Sequence, residues 1–181
     1  MKKLERGELL GRELVYSGRI VKLVVDRIRI KGKETLREVV HHPGGVGILA
    51  EIEPGLIPLV RQHRYPVETE VLEIPAGKIE PGELPETTAA RELEEETGYR
   101  PLDIEPAFSY YPTPGYCDEL LHIYYVNRVE KSEVRFDFDE ELELELLTVD
   151  DALERIRRGE IKDGKTIAAL YWLALRKSRS D

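Results

Sequence analysis

A chain of 181 residues, 41% hydrophobic and 35% charged, is long enough to bury a real core and suits one globular domain, or a compact domain with a small appendage. Its net charge of -9 excludes a nucleic-acid-binding surface of the usual kind, which needs clustered Lys and Arg, but leaves an anionic substrate open because bound divalent cations reverse the local field. One cysteine, Cys117, excludes an internal disulfide framework, and no long apolar run follows the lysines of "MKKLERGELLGRELVYSG", so we expect a cytoplasmic protein with no nucleic-acid or membrane partner.

In chain order, the alternation in "ELVYSGRIVKLVVDRIRIKGKETLREVVHH" predicts β-strands broken at Ser17-Gly18 and at Lys31-Gly32-Lys33. Such a meander buries little by itself and needs a partner, either the rest of the chain or a second subunit. After the break at Pro43-Gly44-Gly45, "VGILAEI" and "LIPLVRQHR" read as apolar strands around the turn Glu53-Pro54-Gly55. "VETEVLEIPAG" reads as one more strand, ending at Pro75-Ala76-Gly77. Residues 84–97 form the clearest helix, with Pro85 in the first turn and Gly98 as the stop. Strands follow at "IEPAFSYY", at "ELLHIYYVNRV" and, after the acidic loop "DFDEE", at "LELELLTV". Two helical stretches, "DDALERIRRG" and "TIAALYWLALRK", end the sequence. Strands, helix, strands, helices is the order of an α/β fold with a mixed sheet covered by helices.

The chemistry concentrates in "RELEEETGY". On a helix, Glu92, Glu95 and Glu96 stand at i, i+3 and i+4 and project from one face. Like charges at these spacings repel, and a hard cation such as Mg²⁺ or Mn²⁺, which prefers carboxylate oxygens, would offset them. Glu94 points elsewhere and is expected in solvent, while Ala89, Ala90 and Leu93 supply the apolar side. By itself, an acidic helix end is more commonly a solvated face. The neighbours change that reading. Gly77 lets the chain leave a strand sharply and brings its backbone near a ligand, and Glu83 and Arg91 can pair across loop and helix.

The whole stretch, "GKIEPGELPETTAARELEEETGY", resembles the Nudix hydrolase box: a glycine, five residues, Glu, seven residues, then Arg-Glu-aliphatic-any-Glu-Glu-any-Gly-aliphatic. Gly77, Glu83, Arg91, Glu92, Leu93, Glu95, Glu96 and Gly98 match it. Tyr99 stands where the family more often has an aliphatic residue, a departure that touches packing only. The resemblance implies a Nudix α/β/α sandwich with a mixed sheet and an N-terminal antiparallel strand subdomain. Residues 1–43 would be that subdomain, pairing with a second subunit in a homodimer, and residues 44–181 the hydrolase domain. It implies Mg²⁺, or Mn²⁺, held by Glu92, Glu95, Glu96 and the carbonyl of Ala76, with Arg91 bracing the site through Glu83. The reaction implied is hydrolysis of a nucleoside diphosphate linked to another moiety.

Pro114, sixteen residues beyond Gly98 within "SYYPTPGYCDE", resembles the ADP-ribose pyrophosphatase branch, as do "LVRQHRYPVETEVLEIPAGKIEPGE" and "REVVHHPGGVGIL". That branch implies Pro114, Arg37, Arg64, Glu73 and Gly77 as substrate contacts, and adenine stacking on Tyr16 and Ile20 or on the Tyr110-Tyr111 pair. Arg37 and Arg64 also read as exposed strand arginines, and the aromatics as core. The branch often carries its general base in an acidic loop between the last strands. Here that loop is "DFDEELE", with Glu140 the first choice among Asp139, Glu140, Glu141 and Glu143, and the box residue Glu95 the alternative. The expected activity is hydrolysis of ADP-ribose to AMP and ribose 5-phosphate. ADP-glucose or GDP-mannose hydrolysis, or a non-catalytic nucleotide-binding module, is the alternative.

Some patterns carry no such weight. "GEIKDGKT", residues 159–166, matches the phosphate-loop spelling, but a polar helix rather than an apolar strand precedes it, and Glu160 and Asp163 put negative charge where phosphates would lie. It reads as an inter-helix loop with Thr166 near a helix start. His41, His42, His63 and His122 lack metal-ligand spacing, Cys117 reads as inert, and Trp172 reads as core.

Overall fold

The computed structural model describes residues 6–132 and 142–178. The chain divides into two compact units, Met1–Gly44 with Tyr111–Leu120, and Gly45–Tyr110 with Leu121–Asp181.

In the first unit, strands β1 (Glu8–Ser17), β2 (Lys22–Ile30) and β3 (Lys33–His41) form an antiparallel sheet in sequence order. Lys31 and Gly32 turn between β2 and β3 with φ of 50° and 75°, the double positive φ that a tight two-residue hairpin requires. Across the sheet, Arg12 grips Asp26 with two hydrogen bonds of 2.6 and 2.8 Å. Residues Tyr111–Leu120 lie along β3: Val40 N–H donates to Tyr116 O at 2.8 Å and Asp118 N–H to Val40 O at 3.1 Å. The Asp118 carboxylate also meets His41 Nδ1 at 2.6 Å and the His42 N–H at 2.9 Å.

The second unit runs β4 (Gly45–Ala50), β5 (Leu56–Arg64), a 3₁₀ turn (Tyr65–Val67), β6 (Thr69–Glu73), β7 (Ala76–Lys78), α1 (Pro85–Thr97), β8 (Tyr99–Pro101), β9 (Glu105–Tyr110), β10 (Leu121–Val126), β11 (Val129–Lys131), β12 (Leu142–Thr148), α2 (Val149–Arg157) and α3 (Gly164–Lys177). Its strands pair in the orders β7-β4-β10-β9, β12-β5-β6 and β11-β8. In the β7-β4-β10-β9 sheet β4 and β10 pair parallel and the other neighbours antiparallel, so the sheet is mixed. Strand β4 is buried along its whole length, because both of its faces are covered. Val46, Ile48 and Ala50 pack with Tyr124, Val126 and the α1 residues Ala89 and Leu93. Leu49 points the other way, with Ile123 and Tyr125, into a cluster closed by Leu170 and Leu173 of α3 and Ala152 of α2. Alternation with a period of two on doubly buried strands thus gives the α/β/α layering. Trp172 packs against this second cluster, 5.6 Å from the Tyr125 ring.

The single strand expected over "VETEVLEIPAG" is two strands with a break at Ile74-Pro75, preceded by the 3₁₀ turn. Proline has no N–H to give a ladder, and here its carbonyl accepts from Ile48 N–H at 2.8 Å instead. The short strands β8 and β11, which flank α1 and β10, are additions to the predicted set. No helix among the described residues is long and apolar enough to cross a membrane.

Candidate active site

Helix α1 carries the acidic residues, and its ends are set by the expected signals. Pro85 occupies the first turn, and Gly98, with φ of 71°, closes the helix by donating to Glu94 O at 2.9 Å. Leu84, at the N-cap, offers no side-chain oxygen. Glu83 ties the entry down instead, accepting from the buried Thr88 hydroxyl at 2.8 Å and from Arg91 Nε and Nη2 at 3.2 Å each. The Arg91 guanidinium, hydrogen-bonded to Glu83, holds that carboxyl below its ordinary pKa, with Thr88 adding to the effect. Leu93 and Ala89, fully buried, press the opposite face of the helix onto β4 and β10. Burial of a leucine contributes about 1.5–3 kcal/mol, which sets the rotation of the helix and hence the direction of its acidic face.

Strand β7 brings the box glycine to that face by pairing Val46 with Gly77 and Gly47 with Ala76. The approach is close: a Cβ built on Gly77 would lie 1.9 Å from Glu92 Oε1. Glu96, 3% exposed, accepts from Ala76 N–H at 3.1 Å. Arg91 reaches further than the expected brace: its Nη1 lies 2.8 Å from carboxylate oxygens of both Glu92 and Glu95. These three glutamate contacts raise the Arg91 pKa, the Glu83 hydrogen bond most, against the opposing effect of burial. Glu94, expected in solvent, is half-buried and accepts from the Ser132 hydroxyl at 2.5 Å.

A second charged group borders the first. Glu73, 1% exposed at the end of β6, has one cation on each oxygen: Arg64 Nε at 2.7 Å on Oε1, and Lys165 Nζ on Oε2. Burial works against the Arg64 charge, but the hydrogen bond to Glu73 and the nearby charges of Glu73, Glu96 and Asp163 keep its pKa above the ordinary arginine value. Lys165 also meets Asp163 Oδ1 at 3.1 Å. Asp163 Oδ2 caps α3, accepting from Thr166 N–H and Oγ1 at 2.9 and 2.6 Å, and Thr166 Oγ1 accepts from Ile74 N–H at 2.8 Å. Asp163 is therefore the capping residue, Thr166 stands near the helix start as expected, and the phosphate-loop spelling is a loop between two helices. A cleft of about 640 Å³ opens beside this group, lined by Arg64, Glu73, Glu160, Lys162, Asp163 and Lys165 among others.

The structure thus assembles Arg64, Glu73, Ala76, Gly77, Arg91, Glu92, Glu95 and Glu96 in the second unit. Arg37, exposed on β3 and donating to Thr35 Oγ1 and Leu36 O, belongs to the first unit, as does Pro114. Tyr16, Ile20 and Tyr111 are exposed there, while Tyr110 packs on Phe108 in the second unit. Glu140, with Asp139 and Glu141, lies outside the described residues. Glu143 is exposed on β12. Among the described residues no three Asp, Glu, His or Cys side chains converge as a ready cation cage; Glu92 and Glu95 are turned to Arg91 instead. The donor set that the resemblance implies, three carboxylates and a backbone carbonyl with no nitrogen or sulfur ligand, suits a hard divalent cation. Sequence reading missed Asp163, Lys165 and Thr88. The available signal was a polar residue on the inward face of a helix, Lys165 among apolar neighbours.

Comparison with known proteins decides the family. The family model of the NUDIX domain matches residues 41–170. The chain belongs to the NUDIX family. Two similar relatives span nearly the whole chain. One is the methanol dehydrogenase activator of Bacillus methanolicus, 41% identical over 98% of this chain and 98% of that protein. The other is the ADP-ribose pyrophosphatase of Bacillus subtilis (strain 168), 39% identical over 98% of this chain and 97% of that protein. Among solved structures, a crystal structure of ADP compounds hydrolase matches with a TM-score of 0.88 over 99% of this chain and 98% of that chain, at 19% identity, a likeness of fold.

Proposed function

We propose that this Nudix protein hydrolyses the pyrophosphate bond of ADP-ribose to AMP and ribose 5-phosphate, using Mg²⁺ or, in its place, Mn²⁺. The observation that carries the reading is the complete box in one neighbourhood, with Glu92 and Glu96 against the Gly77 and Ala76 backbone and Glu95 joined to Glu92 through Arg91. The identity to the Bacillus subtilis ADP-ribose pyrophosphatase along nearly the whole chain, and Pro114, support ADP-ribose among nucleoside diphosphate sugars.

In this reading Glu92, Glu95, Glu96 and the Ala76 carbonyl would hold the cation, whose charge would offset that of the pyrophosphate and polarise its oxygens. The residues around it orient the substrate. Gly77 lets the backbone approach without a side chain, and Arg64 presents guanidinium donors to phosphate or ribose oxygens. Arg91 holds Glu92 and Glu95 beside Glu83 and keeps two repelling carboxylates on one face. The proton of the attacking water goes to a carboxylate, Glu140 in the acidic loop or Glu95 in the box. For Arg37 and Pro114, which belong to the first unit, a substrate contact rests on the resemblance to the ADP-ribose pyrophosphatase branch alone. Leu9, Leu14, Tyr16 and Leu36, all exposed on the N-terminal sheet, are the surface through which a second copy pairs to give a homodimer; gel filtration giving a monomer at working concentration would count against that.

A substrate panel tests the assignment. Turnover of ADP-ribose should exceed that of ADP-glucose and GDP-mannose, and faster GDP-mannose turnover would replace the substrate while leaving the reaction class. A second reading comes from the Bacillus methanolicus relative, named an activator of methanol dehydrogenase. It predicts that the chain raises the rate of such a dehydrogenase when added to it, and that nucleotide-sugar turnover is negligible.

A further inference from the structure

We infer that Lys165 is a positioning residue for the substrate site: by occupying the second oxygen of Glu73 it keeps Arg64 bound through Nε alone and leaves the arginine's terminal nitrogens for substrate. The inference rests on the functional reading above and deepens it. Glu73 is buried, and both of its oxygens carry a cation. A buried carboxylate oxygen without a partner is costly, so each oxygen takes whichever donor is within reach. Arg64 is within reach of both. Its guanidinium has a fork of donors matched to the two oxygens of a carboxylate. Yet only its Nε is engaged, and its terminal nitrogens have no hydrogen bond among the described residues. The group is about two-fifths exposed and lines the cleft beside Glu73.

Lys165 is what holds the arrangement. Only 9% exposed, its ammonium is fixed between Glu73 and Asp163, and Asp163 is fixed by capping α3 through Thr166. Thr166 in turn receives Ile74 N–H, so the residue after Glu73 is tied to the same helix end. The cap of α3, the lysine and the strand leading into the box form one connected unit. Remove the ammonium, and the freed oxygen of Glu73 draws in an Arg64 terminal nitrogen. Arg64 then becomes a closed bidentate pair and is withdrawn from the cleft.

The test is Lys165→Met, with Lys165→Gln as the milder variant should Met impair folding. A crystal structure of the variant should show Arg64 bidentate on Glu73, and Arg64 still engaged through Nε alone would overturn the inference whatever the substrate is. Kinetically, KM for ADP-ribose should rise about tenfold while kcat changes less than about threefold. In an Arg64→Lys background, which has no fork to withdraw, Lys165→Met should change KM less than about twofold. A merely structural lysine would lower kcat and thermal stability to the same degree in both backgrounds, and that pattern would also overturn the inference. Absence of turnover in the wild-type protein with Mg²⁺ would instead count against the function proposed above, and the crystallographic comparison would still decide the role of Lys165.

Discussion

The carboxylate of Glu92 occupies the space in which a side chain on residue 77 would begin: a Cβ there would lie 1.9 Å from Oε1 and 2.0 Å from Cδ of Glu92. The box glycine and the first box glutamate of the helix are therefore one device. The absence of a side chain on β7 makes the room in which the carboxylate of α1 stands beside the backbone.

Gly77→Ala should damage activity far more than stability. Residue 77 does not require positive φ, so alanine fits its backbone. The clash is with the far end of a flexible side chain, which can swing aside. A thermal melt should shift by only a few degrees, consistent with about 1 kcal/mol or less, while turnover falls at least about tenfold because Glu92 leaves its place. A large loss of stability with normal turnover of the folded fraction would contradict this.

Glu96→Gln separates charge from shape. The amide oxygen can still accept from Ala76 N–H, so the fold should persist. The lost charge should reduce turnover by about a hundredfold or more if the carboxylate holds the cation. Near-normal turnover at saturating Mg²⁺ would remove Glu96 from the site.

Acid should loosen the box through Glu83. Its folded pKa lies below the ordinary 4.5 because of the Arg91 hydrogen bonds first and Thr88 next. The unfolded state therefore binds more protons as pH falls below 4.5, so this stabilisation is complete above that value and disappears as pH drops through the lowered folded pKa. Urea midpoints measured from about pH 7 to about pH 3 should fall less steeply for Glu83→Gln than for the wild type. Parallel curves would refute the assignment.

The legibility of this chain follows the range of the forces involved. Helix α1 was readable to within a residue because its proline, its glycine and its apolar spacing act locally. The doubly buried β4 and the paired Glu83 and Arg91 were readable for similar reasons. The division of "VETEVLEIPAG" into β6 and β7 was not, because it depends on Ile48 and Thr166, distant in sequence, taking up backbone groups at Ile74 and Pro75. Lys165 was hidden for the same reason: its partner Glu73 lies ninety-two residues away. Inside "GEIKDGKT" the lysine looked like part of an accidental phosphate loop. The pairing of Arg91 with Glu92 and Glu95 was missed because helix spacing shows which side chains share a face but not which rotamers they choose.

The most direct test of the account is chromatographic analysis of ADP-ribose incubated with the purified protein, with Mg²⁺ and with excess chelator. AMP and ribose 5-phosphate should form in equal amounts with Mg²⁺, should be absent under chelation, and should reappear when Mg²⁺ is restored. Intact ADP-ribose in the presence of Mg²⁺, or equal cleavage under chelation, would contradict it.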